Sequence, residues 1–270
     1  DAVGDAVEVT RIDDPDDPRF RQFRLNERGL ASRADKRDDA GAGMFMAEGD
    51  LVVARAASAG CRPVAALVDI DRIPDVAGEL DCPLYGGGER VRQVGSGLGV
   101  PLSIIALFHR PARPSPAELA ARANRLVVIE AVDNPANIGS IIRNAAALGW
   151  DGLLLDHTSA DPLARRSTRV AMGTVFTLPP ARNTCLADDL RAMTDHEIYA
   201  LTPDATAVDL HTLTPGERAA ILVGSERAGL SRELLGIATP VRIPMAHGVD
   251  SLNAAAATAI ACYALGPRGR

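Results

Sequence analysis

The chain has 270 residues, 47% of them hydrophobic, which is enough to bury the core of one large domain or two ordinary ones. Its formal net charge of −6 argues against a nonspecific nucleic-acid binder, because counterion release at phosphates favours a basic surface; a local basic patch would still suffice. No apolar stretch reaches the roughly 18 to 20 uncharged residues of a membrane-spanning helix, and the Asp-rich start lacks a signal-peptide pattern. We therefore expect a soluble, cytoplasmic protein without membrane contact.

Cysteine and histidine are too scattered along the sequence to indicate a metal site or a nucleophile pair. The four cysteines form no CxxC pair, and the five histidines do not stand at zinc-ligand spacing. We expect reduced structural thiols and no metal. Lys36 is the only lysine, so nearly all cationic charge is arginine. Arginine suits bidentate phosphate contacts, although codon bias in a GC-rich genome is the simpler explanation.

The amino-terminal half predicts a charged arm followed by a small α/β domain. Charges of both signs alternate through the first forty residues, which favours a helix in one part and a mobile arm in another. Apolar patterns then predict a helix at residues 51–54 and strands at 64–68 and 103–108. Three prolines between Arg110 and Pro116 disfavour helix, so we place a domain boundary there. The predicted division is a domain at 1–112, a linker at 113–125 and a second domain at 126–270.

In the second half, short apolar runs alternate with helical patterns. This alternation predicts a largely parallel sheet that is covered on both faces. Ligands in such sheets bind beyond the carboxyl ends of the strands. The predicted strands lie at residues 126–129, 152–155, 198–201, 219–223 and 241–243.

Residues 133–144, DNPANIGSIIRN, follow the first of these strands and open a helix. Its isoleucines recur at helical spacing and are predicted to face the core, while Arg143 points elsewhere. Asn137 is predicted to cap the amino terminus of the helix. A cation beside a strand-to-helix junction indicates a functional role for Arg143.

Two further segments place polar groups after strands. Residues 222–231, LVGSERAGLS, end a strand at Gly224, where a missing side chain lets the backbone approach a ligand. They then present the carboxylate of Glu226, for which an ordinary loop with a solvated glutamate is the alternative. In residues 243–263, IPMAHGVDSLNAAAATAIACY, either Asp250 or Ser251 is predicted to cap an alanine-rich helix whose small side chains permit close packing.

In this order and spacing, the three segments resemble the three motifs of the SpoU/TrmH-type 2′-O-ribose methyltransferases of the SPOUT class, over about residues 126 to 264. The resemblance implies an α/β fold, a parallel sheet with a C-terminal trefoil knot, which is a rare exception to the rule against knots. It implies that a small α/β ribosomal-protein-like substrate-binding domain precedes this sheet. It also implies a homodimer with an active site completed across the interface, and S-adenosyl-L-methionine bound in the knot at Thr202, Gly224, Ile243 and Leu252.

The resemblance further implies five catalytic positions: Arg143, Glu226, Ser251, Asn253 and Asn137. A ribose hydroxyl is a poor nucleophile, so its oxyanion needs stabilisation during methyl transfer. Because a guanidinium stays protonated, Arg143 is expected to stabilise the alkoxide and anchor the adjacent phosphate rather than act as a base. Glu226 is expected to orient Arg143 or the ribose. Asn253 is expected to position the hydroxyl, and Asn137 to hold the shape of the first loop.

The amino-terminal domain is more loosely similar to the substrate-binding domain that precedes many SpoU catalytic domains, through a strand and Glu-Gly turn at residues 44–49. This similarity favours structured RNA, in particular 23S-type ribosomal RNA, as the partner. A solvated charged face is the alternative to phosphate binding at the candidate contacts. Those candidates are Arg19, Arg21 and Arg24, or Arg90 and Arg92.

Three other functions stay open. The first is a transfer-RNA 2′-O-methyltransferase, and the second a non-catalytic RNA- or cofactor-binding module of the same fold. Arg143 together with Asn253 argues against the binding module. The third is a nicotinamide enzyme, suggested by glycines at 95, 97 and 99, but their spacing is not GxGxxG.

Overall fold

The computed structural model describes residues 8–30, 43–96, 98–246 and 248–267, which divide into two units. The first unit takes in residues 8–30 and 43–112 together with the later segment Leu163–Gly173. The second takes in Arg113–Pro162 and residues 174–267. Of the charged arm predicted for the first forty residues, much lies outside the described residues, while Pro18–Arg24 forms a 3₁₀ helix.

The helices of the described residues are, in chain order, α1 (Glu27–Leu30), α2 (Asp50–Ser58), α3 (Glu89–Ser96), α4 (Pro116–Arg122), α5 (Pro135–Ala147), α6 (Arg165–Val170), α7 (Leu186–Ala192), α8 (Arg232–Ile237) and α9 (Ala254–Ala264). The strands are β1 (Val9–Ile12), β2 (Met44–Glu48), β3 (Pro63–Asp69), β4 (Leu84–Gly87), β5 (Ile104–His109), β6 (Arg125–Ile129), β7 (Gly152–Asp156), β8 (Ala181–Asn183), β9 (Glu197–Leu201), β10 (Val208–Asp209), β11 (Ala219–Val223) and β12 (Thr239–Arg242). Further 3₁₀ helices lie at Asp75–Glu79, Thr174–Phe176 and Leu210–Thr212. Among the described residues, none of the helices has both the length and the apolar character needed to cross a bilayer.

The first unit is built around a mixed five-stranded sheet with the strand order β1-β4-β3-β5-β2. β1, β4 and β3 run parallel, whereas β5 runs antiparallel to both β3 and β2. Phe20 and Phe23 of the first 3₁₀ helix are fully buried in its core, together with Leu67 of β3 and Leu107 of β5. Aromatic burial therefore fixes the amino-terminal segment onto this sheet.

Sequence patterns located part of this unit. The predicted helix at 51–54 and the strands at 64–68 and 103–108 are confirmed as α2, β3 and β5. Strand β4 was not predicted, because it is short and contains two glycines. A β-carbon on Gly86 would lie 2.3 Å from Ile70 Cδ1, so the strand needs glycine to pack there. The nicotinamide-enzyme alternative was suggested by glycines that begin at Gly95. This residue lies inside α3, and not in the strand-to-helix turn that a dinucleotide-binding motif requires.

The second unit is built around a seven-stranded sheet in which every strand pair is parallel, with the order β10-β12-β9-β11-β6-β7-β8. The five strands predicted for this half are confirmed as β6, β7, β9, β11 and β12, and so is their parallel arrangement. All residues of β6 and β11 are buried, as expected for strands covered on both faces. The neighbours β12, β9, β11 and β6 therefore present their carboxyl ends at one edge of the sheet.

Residues 113–125, predicted as a linker, instead contain α4, whose Leu119 is fully buried in the core of the second unit. A capping box starts this helix: the Ser115 side chain accepts from the Glu118 N–H at 3.2 Å, and the Ser115 N–H donates to the Glu118 carboxylate at 2.7 Å. Pro116, interpreted as a helix breaker, occupies the first helical position, where proline is favoured. The proline run therefore begins a helix of the second unit.

The segment Leu163–Gly173 belongs to the first unit, although it lies within the range predicted for the second domain. Its helix α6 packs against β2. The carboxylate of Glu48 at the end of β2, only 1% exposed, is ion-paired with both Arg165 and Arg169. Arg165 also donates to the Gly95 carbonyl at 2.9 Å. These buried polar contacts fix the segment to the first sheet.

Candidate functional site

A cavity of about 380 Å³ lies at the carboxyl ends of β9, β11 and β12. Four residues were predicted to bind the cofactor, and all four line this cavity: Thr202, Gly224, Ile243 and Leu252. Glu226 and Ser251, two of the predicted catalytic residues, line it as well. The parallel sheet therefore brings segments that are far apart in sequence to one concave site.

The turn after β11 is unusually tight. A β-carbon on Gly224 would lie 2.2 Å from the carbonyl carbon of Gly229, so the backbone of the same turn fills the space beside this glycine. The sequence interpretation of Gly224 as room for a ligand was therefore incomplete. Gly229 has a φ of +66° and its N–H donates to the Ser225 carbonyl at 2.9 Å, which closes the turn. The exposed Glu226 lies within this turn.

The amino terminus of α9 is capped by Asn253, whose Oδ1 accepts from the N–H groups of Ala255 at 2.9 Å and Ala256 at 3.2 Å. The prediction that Asp250 or Ser251 caps this helix was wrong, because the helix begins further along the chain, at Ala254. Since Oδ1 is used by the cap, the amide nitrogen of Asn253 is left to donate elsewhere.

A hydrogen-bonded chain links the three motif segments. Asn253 Nδ2 donates to Asn137 Oδ1 at 3.0 Å, and Asn137 Nδ2 donates in turn to Glu226 Oε1. The helix cap sets the direction of these hydrogen bonds. Because Asn253 Oδ1 accepts from the backbone of α9, Asn253 Nδ2 must donate to Asn137 Oδ1, which leaves Asn137 Nδ2 to donate to Glu226. Glu226 must therefore act as a hydrogen-bond acceptor at the edge of the cavity.

The helix that supplies Asn137 begins earlier than predicted. Asn134, not Asn137, caps α5 and accepts from the Ala136 N–H at 2.9 Å, with Pro135 at the first helical position. Proline suits that position because its fixed φ is already helical and it has no N–H to satisfy. Asn137 therefore lies within the first turn, 7% exposed, and its amide is free for the chain to Glu226.

Arg143 lies further along α5, exposed to solvent. Within the part of the chain that the structure describes, its guanidinium has no hydrogen-bond or ion-pair partner. Within one chain Glu226 contacts Asn137 and not Arg143, so of the two orienting roles expected for Glu226, the one toward Arg143 stays a prediction for a site completed across the dimer interface. The guanidinium stays available to a ligand outside the chain.

Sequence reasoning missed the residues that hold the loop between β6 and α5. Asp156, at the end of β7, accepts from the N–H of Ala131 at 3.0 Å, and the Ser159 hydroxyl accepts from the N–H of Val132 at 3.1 Å. A buried aspartate after an apolar strand, followed by Thr158 and Ser159, was the available signal, since these residue types bond to nearby backbone.

Charged groups around the cavity are few. Glu226 and Arg227 are the ionisable side chains among its described lining residues. Over the described ranges, no group of three or more His, Cys, Asp or Glu side chains is arranged to hold a metal ion.

In the first unit, the structure changes the set of candidate phosphate contacts. The choice of Arg92 was wrong, because its guanidinium is buried against Asp69 at 2.8 Å and donates to the Leu102 carbonyl at 2.8 Å. Two other candidates are engaged by neighbouring aspartates: Arg19 by Asp17 at 2.5 Å and Arg24 by Asp16 at 3.0 Å. Arg21 and Arg90 remain exposed, without a hydrogen-bond or ion-pair partner among the described residues.

Comparisons with known proteins place the chain among RNA methyltransferases. A model of the SpoU rRNA methylase family matches residues 124–263. An uncharacterized tRNA/rRNA methyltransferase of Mycobacterium bovis is 36% identical, with 96% of this chain and 92% of the relative aligned. The 23S rRNA (guanosine(2553)-2′-O)-methyltransferase RlmP of Bacillus subtilis is 30% identical over 82% of this chain and 88% of its own. The AdoMet-bound rRNA methyltransferase of Sinorhizobium meliloti superimposes with a TM-score of 0.78 at 26% identity, covering 95% of this chain and 97% of that chain.

Proposed function

The chain belongs to the SpoU rRNA methylase family, and on that premise we propose that it methylates a ribose 2′-hydroxyl in 23S-type ribosomal RNA. It is an S-adenosyl-L-methionine-dependent RNA methyltransferase. The choice of hydroxyl and of RNA is supported by the similarity to RlmP, whose name specifies both. The name of the mycobacterial relative covers tRNA as well as rRNA, so transfer RNA is the alternative that the experiment must test.

The cavity beyond β9, β11 and β12 suits the methyl donor. Its volume of about 380 Å³ falls within the range of roughly 300 to 1,000 Å³ that is usual for small-molecule sites. Ile243 and Leu252 offer apolar walls for the adenine ring, while backbone groups near Thr202 and Gly224 can bond to polar edges. When bound there, S-adenosyl-L-methionine supplies an electrophilic methyl group on a positively charged sulfur.

One observation carries the proposal: the chain Asn253–Asn137–Glu226 joins all three motif segments beside the cavity that contains the predicted cofactor positions. Glu226, fixed as an acceptor, is suited to orient a donor group of the nucleotide to be methylated. Arg143 has no partner among the described residues, and a guanidinium is a cation with several N–H donors in a fixed planar arrangement. Its guanidinium is therefore suited to stabilise the developing oxyanion and to anchor the adjacent phosphate.

We also infer a homodimer, supported by apolar side chains that are exposed on and before α9. Tyr263 is 81% exposed and Val249 is 52% exposed, and Ile260 adds a further exposed apolar group. Ile260 and Tyr263, three residues apart on α9, are neighbours on the helix surface, and exposed apolar groups of this size indicate a protein interface. A twofold pairing of like surfaces is the commonest arrangement. The trefoil knot stays a prediction from the family resemblance.

The test of the proposed mechanism is substitution of Arg143. Arg143→Ala should bind S-adenosyl-L-methionine as the parent does, in calorimetry with a chelator present, because Arg143 is not among the cavity-lining residues. Methyl transfer from tritiated donor to RNA from cells that lack the gene should fall at least about 100-fold, as when an oxyanion-stabilising donor is removed. Arg143→Lys should also fail, because an ammonium cannot reproduce the guanidinium fork.

Either variant methylating RNA at the parent rate would contradict this role of Arg143. A parent protein that binds the donor but transfers no methyl group would favour the non-catalytic module instead. Maps of ribose methylation in ribosomal and transfer RNA, from cells with and without the gene, identify the target. A methylation lost only from transfer RNA would overturn the ribosomal assignment.

A further inference from the structure

The loop between β6 and α5 connects the sheet edge directly to the helix that supplies Asn137. Its residue Ala131 has a φ of +55°, in the left-handed region that residues with a β-carbon rarely adopt. Asn134, three residues later, caps α5. Contacts from outside the loop must therefore hold this backbone in place, since its local preference opposes the observed conformation.

Asp156 supplies the main contact. It ends β7, the strand beside β6, and is 7% exposed. Its Oδ1 accepts from the Ala131 N–H at 3.0 Å and from Ser159 through both the N–H, at 3.0 Å, and the hydroxyl, at 2.5 Å. Its Oδ2 accepts from the N–H of Thr158 at 3.2 Å and from the Thr158 hydroxyl. Both oxygens of the carboxylate are thus fully used by hydrogen-bond donors.

Ser159 extends this support by one residue. Its hydroxyl accepts from the Val132 N–H at 3.1 Å, while the Ala160 N–H donates to the Val132 carbonyl at 2.9 Å. Arg182 of β8 also contacts the backbone of this segment, since its Nε donates to the Asp156 carbonyl at 3.1 Å. Two consecutive N–H groups of the loop, those of Ala131 and Val132, are therefore held by side chains of one short segment, Asp156 and Ser159.

We propose that Asp156 is a positioning residue for the methyl-acceptor side of the site: it holds the loop at Ala131 so that α5 presents Asn137 to Glu226. This inference rests on the proposed function. Asp156 does not contact the cavity, so its effect on the reaction passes through Asn137. A small displacement at the start of α5 is enough to break the chain that runs from Asn253 to Glu226, because a hydrogen bond weakens steeply with distance and angle.

The carboxylate is charged at neutral pH. Burial raises the pKa of Asp156, but hydrogen bonds from Ser159, Thr158 and Ala131 lower it by more, so the pKa lies below its ordinary value of 3.8. A neutral amide in the same place would offer one acceptor oxygen and present its NH₂ group to donors.

The geometry predicts a specific kinetic signature. The described residues that line the cavity come from 201 onward, and none belongs to the loop before α5 or to the segment after β7. Loss of Asp156 should therefore slow methyl transfer without weakening donor binding. A residue that acted only through overall stability would not separate these two quantities.

Asp151 provides a matched control. It precedes β7 and accepts from the backbone N–H groups of Arg125 at 2.7 Å and Asn124 at 3.2 Å, at the opposite end of the same two strands. Asp156→Asn and Asp151→Asn thus remove similar carboxylate-to-backbone bonds at opposite edges of one strand pair. For both we would measure donor affinity by calorimetry, kcat on RNA from cells that lack the gene, and amide hydrogen exchange in residues 130–137.

Asp156→Asn should lower kcat at least about tenfold, since displacing a catalytic group by about 1 Å costs up to about 100-fold. Its donor Kd should stay within about twofold of the parent, and residues 130–137 should exchange faster. Asp151→Asn should leave kcat and this exchange as in the parent. Equal behaviour of the two variants, or a Kd that rises in parallel with the loss of kcat, would overturn the proposal.

Ser159→Ala keeps the test decisive if Asp156→Asn does not fold. This variant retains the carboxylate but removes the bond to Val132, so kcat should fall less and Kd should again stay unchanged. Parent kinetics and exchange in Ser159→Ala would reject the proposal. If the parent itself transfers no methyl group, the proposed function fails, and the exchange comparison alone decides whether Asp156 holds the loop.

Discussion

Asn253 performs two tasks with one side chain. Its oxygen caps α9 through the N–H groups of Ala255 and Ala256, and its nitrogen donates to Asn137. Serine and aspartate cap helices about as well as asparagine does, and threonine caps them somewhat less well. Of these residues, only asparagine brings both an acceptor for the cap and an amide donor for the chain to Glu226.

Asn253→Asp should separate these two tasks. Aspartate is a good cap and its charge is favourable at a helix amino terminus, so the melting temperature should stay within a few degrees of the parent. The carboxylate has no proton to donate to Asn137, so methyl transfer should fall by about tenfold or more, in line with the loss of a positioned catalytic contact. Calorimetric melting and the tritium transfer assay measure the two effects.

Asn253→Ala is the control, because it removes both the cap and the donor. It should cost about 0.5 to 2 kcal/mol of stability in addition to the activity. Parent activity in Asn253→Asp would show that the hydrogen bond to Asn137 does not contribute to the reaction.

The roles of single side chains could be predicted only where a motif marked them. The four cofactor positions were named from the resemblance, and the structure brings them together around one cavity. The segment NPAN contains two candidate caps, and only the position of Pro135 decides for Asn134 over Asn137. Asp156 acts on a loop some 25 residues away in sequence, and such pairing is invisible to local pattern.

Strands were predictable where burial on both faces produces an apolar run, as in β6 and β11. The strands that were missed are short, and all but β4 lie at sheet edges: β1, β4, β8 and β10. Pairing with a neighbour defines such strands, and their own sequence carries little periodicity. The predictable strands were the ones needed to place the cavity.

The junction between α4 and β9 contains a buried histidine. Nε2 of His196, which precedes β9, lies 2.9 Å from the carbonyl oxygen of Ala123 at the end of α4. Its Nδ1 is buried without a partner among the described residues. Burial lowers the pKa of His196 below its ordinary value of 6.5. The neutral ring, with its proton on Nε2, therefore fits this site.

The pH dependence of stability follows from this shift. Below about pH 6.5 the unfolded chain takes up a proton at His196 more readily than the folded protein does, so the free energy of unfolding falls as the pH is lowered. Above that pH His196 is neutral in both the folded and the unfolded state, so it does not change how the free energy of unfolding depends on pH. His196→Gln keeps a donor for the Ala123 carbonyl and does not titrate. Urea unfolding at pH 7.5 and 5.5 should therefore show a smaller loss of stability in His196→Gln than in the parent, whereas equal losses would assign the acid sensitivity to other groups.

The segment Leu163–Gly173 belongs to the first unit, although the chain before and after it belongs to the second. Local sequence patterns did not predict this assignment. Arg165 and Arg169 have the pattern of a solvated helix face, and their partner Glu48 lies 117 and 121 residues away in sequence. Composition also could not show that α4 belongs to the second core, since its proline run has the same residues as a linker. Both features depend on long-range contacts.

Producing the second unit without the first tests whether Leu163–Gly173 depends on the first unit for its order. A fragment that begins at Arg113 keeps the capping box of α4, the core of the second unit and the cavity, so it should fold and bind S-adenosyl-L-methionine about as well as the full chain. It lacks Glu48, so its segment 163–173 loses the ion pairs of Arg165 and Arg169. Trypsin should therefore cut the fragment after these arginines much faster than the full chain, as mass spectrometry of timed digests would show.

Glu48→Gln in the full chain isolates the contribution of those ion pairs. The variant retains the whole first unit but leaves two largely buried guanidinium groups without a carboxylate, and breaking a buried pair in this way costs about 3 to 5 kcal/mol. It should be cut in the same segment at a rate between those of the full chain and the fragment, with donor affinity unchanged because the cavity lies wholly in the second unit. A fragment as resistant as the full chain at these sites would mean that the second unit can hold the segment alone. The ion pairs with Glu48 would then be dispensable for its order.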